Sequence, residues 1–183
     1  MYLRKFTSCL GTLTLLAAGF ALNAAPKAGD APDSEQVNKL LSEAKTLAFQ
    51  LKEDAIIMES FTRMNVGWES HAVAINQIRE HVNALGRQAT KLKDARATAS
   101  PWQKVAIDRI EPFLDELEGY TSAVIEQLNA NQKRLFTPEY KDYLEANVDY
   151  SSDMAAMIAD FVNYGRAKTR MENLDKKLEL PAR

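Results

Sequence analysis

The sequence predicts an all-α protein, an up-down-up-down four-helix bundle preceded by a signal peptide. Apolar residues recur at alternating spacings of three and four through most of the chain, which is the pattern of amphipathic helices with one buried stripe each. Glycine and proline nearly vanish after residue 33, so short connectors separate long helices. Because three neighbours can cover each stripe, a closed bundle is favoured over a spectrin-like extended array.

The first residues have the order of a secretory signal. A basic end precedes a largely apolar, uncharged run over residues 6–22, and small residues follow it. This order predicts a signal peptide over residues 1–24, cleavage after residue 24 or 25, and a flexible leader over residues 25–33. We therefore expect an exported protein, periplasmic or secreted. A retained membrane anchor is the alternative, since spanning helices usually need about 20 apolar residues.

The composition argues against several classes of function. The chain has 23 basic and 25 acidic residues, and removal of the signal would take Arg4 and Lys5 with it. No strong attraction to nucleic acid is therefore expected, and contact with a membrane is expected only if the N-terminal segment is retained. Cys9 is the only cysteine and would also leave, so the mature protein would be free of disulfides and of thiol chemistry.

The first helix is predicted to begin near Asp33 or Ser34, because either side chain can cap the free amides of the first turn. Its apolar stripe includes one carboxylate. The stripe consists of Val37, Leu40, Ala44, Leu47, Leu51, Asp54, Met58 and Phe61. Residues 64–67 form a short connector, in which Gly67 supplies the backbone freedom that a reversal needs.

The second helix is predicted from Trp68 to about Arg96, and the third begins with a capping box. Ser100 can cap the third helix, Pro101 suits its first turn, and Gln103 can return a hydrogen bond to the capping residue. The second stripe consists of Trp68, His71, Ile75, Ile78, Val82, Leu85, Ala89 and Leu92. The third consists of Ile107, Ile110, Leu114, Leu117, Thr121, Val124 and Leu128.

The fourth helix is predicted to begin like the third, with a capping residue, Thr137, followed by a proline, Pro138. We expect it to continue to about Leu174 or beyond and its charged tail to fray or stand clear of the bundle. The residues expected to face inward are Leu144, Ser151, Met154, Ile158 and Phe161. The bundle domain is thus predicted over residues 34–180.

His71 stands in an otherwise apolar stripe. The favoured interpretation is packing at one end of the core, with a ring nitrogen bonded to a neighbour or to water. The alternative is a haem ligand with Met58 or Met64 opposite, as in four-helix cytochromes. The chain has no C-x-x-C-H motif, and its stripes leave no evident vacancy for a porphyrin. His81 lies about 15 Å further along the helix, so the two histidines are not expected to share a metal.

Met154 and Met157 could form half of a soft copper(I) site. Methionines at helical spacing more often fill a core, and that interpretation is favoured. A carboxylate-bridged dimetal centre would need a Glu three residues before each of two histidines. Trp68 and Ile78 occupy those positions instead. No cofactor is therefore expected.

Asp54 is predicted to belong to a polar layer across the middle of the bundle, with Thr121 and either Tyr150 or Ser151. A buried carboxylate needs hydrogen bonds, and hydroxyl groups are suitable partners. Such a layer can set the register of the helices. It lacks a second acid, a base or a nucleophile, so an enzyme is the least favoured hypothesis.

The tyrosines of the fourth helix could line a ligand groove or a partner face. Placement at the core boundary, with the ring inside and the hydroxyl outside, is favoured. These tyrosines are Tyr140, Tyr143, Tyr150 and Tyr164.

Three stretches resemble parts of small exported bacterial helical-bundle proteins that have no assigned activity. They are "WESHAVAINQIREHVNALGRQ", "ASPWQ" and "TPEYKDYLEANVDY". The resemblance implies export and a helical bundle, and it adds no functional residue. We expect a non-enzymatic protein of the cell envelope or exterior that binds a protein partner or self-associates. The alternative is a haem- or copper-binding bundle.

Overall fold

The computed structural model describes residues 31–64, 66–132, 135 and 137–180. The predicted signal peptide and most of the predicted leader lie outside these residues. Four helices account for most of the described chain: α1 (Glu35–Ser60), α2 (Trp68–Asp94), α3 (Pro101–Ala130) and α4 (Pro138–Lys177). Short 3₁₀ turns follow α1 and α2. The described residues contain no strand, which confirms the all-helical prediction.

The helices begin where the capping residues predict. The Ser34 hydroxyl accepts a hydrogen bond from the Val37 amide, and the Thr137 hydroxyl accepts one from the Tyr140 amide. Gln103 bonds the Ser100 amide at the start of α3. These local bonds satisfy amides that have no partner inside their own helix.

Each helix packs against two others: α1 and α3 both contact α2 and α4. The starts of α1 and α3 meet through a hydrogen bond from the Ser34 amide to Gln103; we call this the proximal end. The starts of α2 and α4 meet through His71 and Tyr140, at what we call the distal end. Consecutive helices therefore run in opposite directions around a closed ring, as in an up-down-up-down bundle.

The apolar stripes meet in one continuous core. Its largest fully buried side chains include Leu51, Met58, Ile78, Leu117 and Ile158. The stripe ends differ from the prediction: Trp68 is exposed, and Phe61 is only partly buried. On α4, Val162 is buried and Phe161 only partly, because the inward face there is rotated by one residue from the predicted stripe.

The proximal end is tied together by polar contacts. Asp33, assigned from the sequence to the leader, accepts hydrogen bonds from Trp102 Nε1 at 2.7 Å and from Lys168 Nζ at 2.8 Å. Gly165 of α4 lies against Trp102, and a Cβ at this position would come within 2.8 Å of the indole ring. The absence of a side chain at Gly165 therefore lets α4 approach Trp102 closely.

Beyond this contact α4 continues as a helix to Lys177. Because Lys168 is bonded to Asp33, just before the start of α1, the residues after Lys168 project past the rest of the bundle. The helix thus ends within the predicted region, at Leu174 or beyond. Of the two states predicted for its tail, fraying or standing clear of the bundle, the structure shows the second, because nearly all residues after Lys168 are exposed and those up to Lys177 are helical. Within the described part of the chain, no helix is long and apolar enough to cross a membrane.

Candidate functional site

The imidazole of His71 lies in the core at the distal end. It is fully buried, its Nδ1 lies 2.8 Å from the Tyr140 hydroxyl oxygen, and the Phe61 ring packs edge-on against it. Its Nε2 has no hydrogen-bond partner among the described residues. Burial lowers the pKa of His71 and raises the pKa of Tyr140. A neutral imidazole bonded to a neutral phenol is therefore the favoured state.

The haem alternative needs space beside His71 and a methionine opposite. Met58 is fully buried, whereas Met64 is about half exposed after the first 3₁₀ turn. Five surface pockets of the described residues have no contribution from His71 to their lining. A porphyrin beside Nε2 would require α1, α2 and α4 to separate and lose their shared packing. The described geometry thus favours the packing interpretation.

The copper alternative involves Met154 and Met157. Both residues lie on α4, and their side chains are buried in the core of the bundle. Met157 also forms part of the floor of a groove between α3 and α4. Among the described residues, no group of three or more His, Cys, Asp or Glu side chains could hold a metal ion.

The predicted polar layer around Asp54 is wrong. Asp54 Oδ2 lies 2.7 Å from Nδ1 of His81, at the boundary between α1 and α2. Thr121 instead donates a hydrogen bond to the Asn147 amide oxygen. The described hydrogen bonds of Asp54 include none to Thr121, Tyr150 or Ser151. Asp54 and His81 side chains are 22% and 20% exposed, so the pair is accessible from the surface.

The other members of the predicted layer have separate partners. The Ser151 hydroxyl is buried and donates to the Val148 carbonyl oxygen one turn earlier on α4. The Tyr150 ring stacks on Tyr120 of α3, with centroids 5.4 Å apart. The predicted layer does not form because each member has a different partner. Asp54 bonds to α2, and Thr121 of α3 bonds to α4. Tyr150 packs against α3, and Ser151 bonds to a carbonyl oxygen within α4.

A surface groove runs between α1 and α2 with the Asp54–His81 pair in it. Two adjoining pockets share Asp54 and Gln77 and together extend along both helices; we call them the α1–α2 groove. Its apolar lining includes the strongly exposed side chains of Phe49, Ile57 and Val73. The groove thus combines apolar walls with a polar, hydrogen-bonded centre.

The Asp54–His81 pair has the geometry of an oriented imidazole. A carboxylate on Nδ1 fixes the ring and leaves Nε2 as the second functional nitrogen. Two residues with hydroxyl groups line the groove: Thr46, about two turns before Asp54 on α1, and Ser70, about three turns before His81 on α2. The Thr46 hydroxyl donates to the Ser42 carbonyl oxygen. Among the described hydrogen bonds, neither hydroxyl is bonded to the Asp54–His81 pair, which can therefore orient a polar group of a bound molecule without an activated nucleophile beside it.

A second groove lies between α3 and α4 and is rich in aromatic side chains. Trp102, Phe113, Phe161 and Tyr164 line it, and the Arg109 guanidinium lies over the Phe161 ring, 5.8 Å from its centroid. We call this surface the α3–α4 groove. Its aromatic walls and its charged rim suit contact with another protein surface.

The tyrosines of α4 occupy different environments. Tyr140 is fully buried, contrary to its predicted place at the core boundary. Tyr143 and Tyr150 are partly buried, and the Tyr143 hydroxyl donates to Glu139. Tyr164 is more than half exposed in the α3–α4 groove. These side chains therefore do not form one ligand-binding row.

The Asp54–His81 pair is the feature that sequence reasoning missed, although a signal for it existed. His81 lies near the middle of α2, one helical turn after the stripe residue Ile78, and Asp54 was predicted at the middle of the bundle, so His81 was a possible partner. Comparison with protein families, with curated proteins and with solved structures finds no match to this chain.

Proposed function

We propose that this chain is an exported, non-enzymatic protein that binds a partner protein through the α1–α2 groove. The observation that carries the proposal is the exposure of Ile57 and Val73, which are 52% and 69% exposed and line the same pocket from α1 and α2. Bulky apolar side chains grouped at a surface groove are characteristic of protein-binding sites.

The charges of the groove favour a partner segment that is both apolar and basic. Glu53 and Glu69 line it, whereas Lys45 is the only Lys or Arg among its lining residues. The groove follows two helices over about four turns, the shape that receives an amphipathic helix with apolar anchors. Lys or Arg side chains at the edge of that helix would meet the two carboxylates.

The groove is expected to select amphipathic basic peptides from a displayed random library. Selected peptides should carry bulky apolar residues at helical spacing together with Lys or Arg, and bind with micromolar affinity. The double substitution Ile57→Glu and Val73→Glu should weaken their binding at least about tenfold, because it places charge against the apolar anchors. Fluorescence anisotropy with labelled peptides measures this loss.

A matched control is Val105→Glu on α3, since Val105 is 51% exposed and lies in the other groove. This variant should bind the selected peptides as well as the unchanged protein does. Equal binding of the peptides to the unchanged protein, to the Ile57→Glu, Val73→Glu variant and to the Val105→Glu variant would refute a site between α1 and α2. A Soret band that His71→Ala removes, or bound copper that depends on Met154 and Met157, would instead support a cofactor-binding function.

Export is proposed from the basic, apolar and small-residue order of residues 1–25. Expression of the full chain in a bacterial host should yield periplasmic or secreted protein. Its intact mass, measured by mass spectrometry, should correspond to a chain that begins at residue 25 or 26. Leu15→Arg and Leu16→Arg together interrupt the apolar run and should hold the full-length chain in the cytoplasm. Recovery of uncleaved protein in the membrane fraction would support the retained anchor instead.

A further inference from the structure

The C-terminal part of α4, together with the residue that follows the helix, carries a second apolar stripe, separate from the one that enters the core. Its members are spaced by three and four residues: Tyr164, Ala167, Met171, Leu174 and Leu178. The four large side chains among them are between 46% and 62% exposed. We call these five residues the outer stripe of α4.

The outer stripe is unusual for a helix that faces water. The core stripe of α4 passes through Met154, Ile158 and Val162, and a helix exposed beyond its bundle is normally polar on all remaining sides. A stripe with alternating three- and four-residue spacing is the pattern of a coiled-coil interface. The stripe begins at Tyr164, which also lines the α3–α4 groove, so the stripe adjoins that groove.

We propose that the outer stripe joins two copies of this chain, with their α4 helices packed in parallel. In a parallel two-stranded coil, the residue just before an a position faces the partner residue five positions further on. Arg170 precedes Met171, and Asp175 lies five residues after Arg170. Arg170 of each copy therefore faces Asp175 of the other, and two-fold symmetry forms this ion pair twice.

The opposite orientation is less compatible with the charges. Antiparallel packing would bring Arg170 near Lys177 of the other copy, and like charges at such positions repel. An attractive ion pair that offsets this repulsion in an antiparallel dimer would have to use Lys168. The Lys168 ammonium is already bonded to Asp33 at 2.8 Å and lies 3.5 Å from Glu172. Parallel packing needs no existing ion pair to break.

The surface also has a size appropriate to weak association. Five layers of the outer stripe cover about two heptads, less than most independent coiled coils need. The part of α4 before Lys168 is already held by the bundle, which removes part of the cost of ordering the helix. We therefore expect a reversible dimer in the micromolar range.

Sedimentation velocity on the chain from residue 25 onward should show a monomer at low micromolar and a dimer at several hundred micromolar concentration. Leu174→Glu with Leu178→Glu should leave a monomer throughout that range, with an unchanged helical circular dichroism spectrum because both side chains are exposed. The control is the Ile57→Glu, Val73→Glu variant, which should still dimerise. Its behaviour separates this inference from the proposed α1–α2 site.

Charge exchange tests the parallel orientation. Arg170→Glu alone and Asp175→Arg alone should each weaken the dimer by about threefold or more, because each juxtaposes like charges twice. Mixing these two variants should restore association, since each mixed pair then has two attractive contacts. A chain that stays monomeric at all concentrations, a dimer that survives the Leu174 and Leu178 substitutions, or a mixture that fails to recover would overturn the proposal.

Discussion

Replacement of Gln103 by Leu is expected to lower the free energy of unfolding by about 3 kcal/mol. Gln103 is fully buried at the proximal end, and its amide makes four hydrogen bonds. Oε1 accepts from the amides of Ser34 and Ser100, at 3.0 and 2.9 Å. Nε2 donates to the Ser34 carbonyl oxygen and to Asn38 Oδ1, both at 2.9 Å.

The expected loss comes from the groups that Leu would leave without partners. The Ser100 residue is almost completely buried, so its amide would have neither water nor a protein acceptor, which costs about 1–3 kcal/mol. The partly buried Ser34 amide would add a smaller cost. The Ser34 carbonyl oxygen retains the Asn38 amide as a donor, so it adds little.

Gln88→Leu is the matched control, because Gln88 is also buried but bonds only through Nε2, to the Leu40 carbonyl oxygen and Glu43. No backbone amide depends on it, so we expect a loss of less than about 1.5 kcal/mol. Urea unfolding followed by circular dichroism gives both values. Equal losses for the two variants would show that the bonds of Gln103 have no special role.

Stability should fall as the pH is lowered through about 6.5, and His71 should account for a resolvable part of the loss. Burial lowers the pKa of His71 from its usual 6.5 in the folded protein. Between the lowered value and 6.5 the unfolded chain binds a proton there and the folded chain does not. The free energy of unfolding therefore decreases with falling pH, by at most about 1.4 kcal/mol per pH unit from this group.

The measurement is urea unfolding from pH 8 to pH 5 on the unchanged protein and on His71→Asn. Asn does not titrate in this range, and its amide can still bond the Tyr140 hydroxyl. The variant should be less stable at pH 8 but should lose less stability on acidification. If the free energy of unfolding changes with pH equally in the unchanged protein and in His71→Asn, a protonated His71 is tolerated in the folded core. That result would contradict the expected effect of its burial.

Much of the fold could be predicted because it depends on short-range chemistry. The starts of α1, α3 and α4 follow from the capping groups of Ser34, Gln103 and Thr137, which act within one helical turn. The apolar spacing indicated which face of each helix is buried. Phe161 was misplaced because a rotation of α4 by one residue buries Val162 instead. Trp68 was misplaced because it is the first residue of α2, at the end of its stripe, where the core no longer covers it.

Less of the candidate site could be predicted. The burial of His71 follows from its place in the stripe, but its pairing with Tyr140 depends on how α2 and α4 meet at the distal end. Asp54 was placed at the middle of the bundle and given the wrong neighbours. Depth follows from residue counting, whereas the neighbour depends on the direction in which the carboxylate leaves the helix, and Asp54 points toward α2 and His81.

The sequence by itself determined an all-helical chain, the starts of its helices and the stripes that form the core, because hydrogen bonding and periodicity within a helix are local. The tertiary structure decided that Asp54 meets His81, that Gln103 connects the beginnings of α1 and α3, and that the outer stripe of α4 remains exposed. Each of these depends on the rotation and axial offset of one helix against another, and residue spacing along a single helix does not specify them.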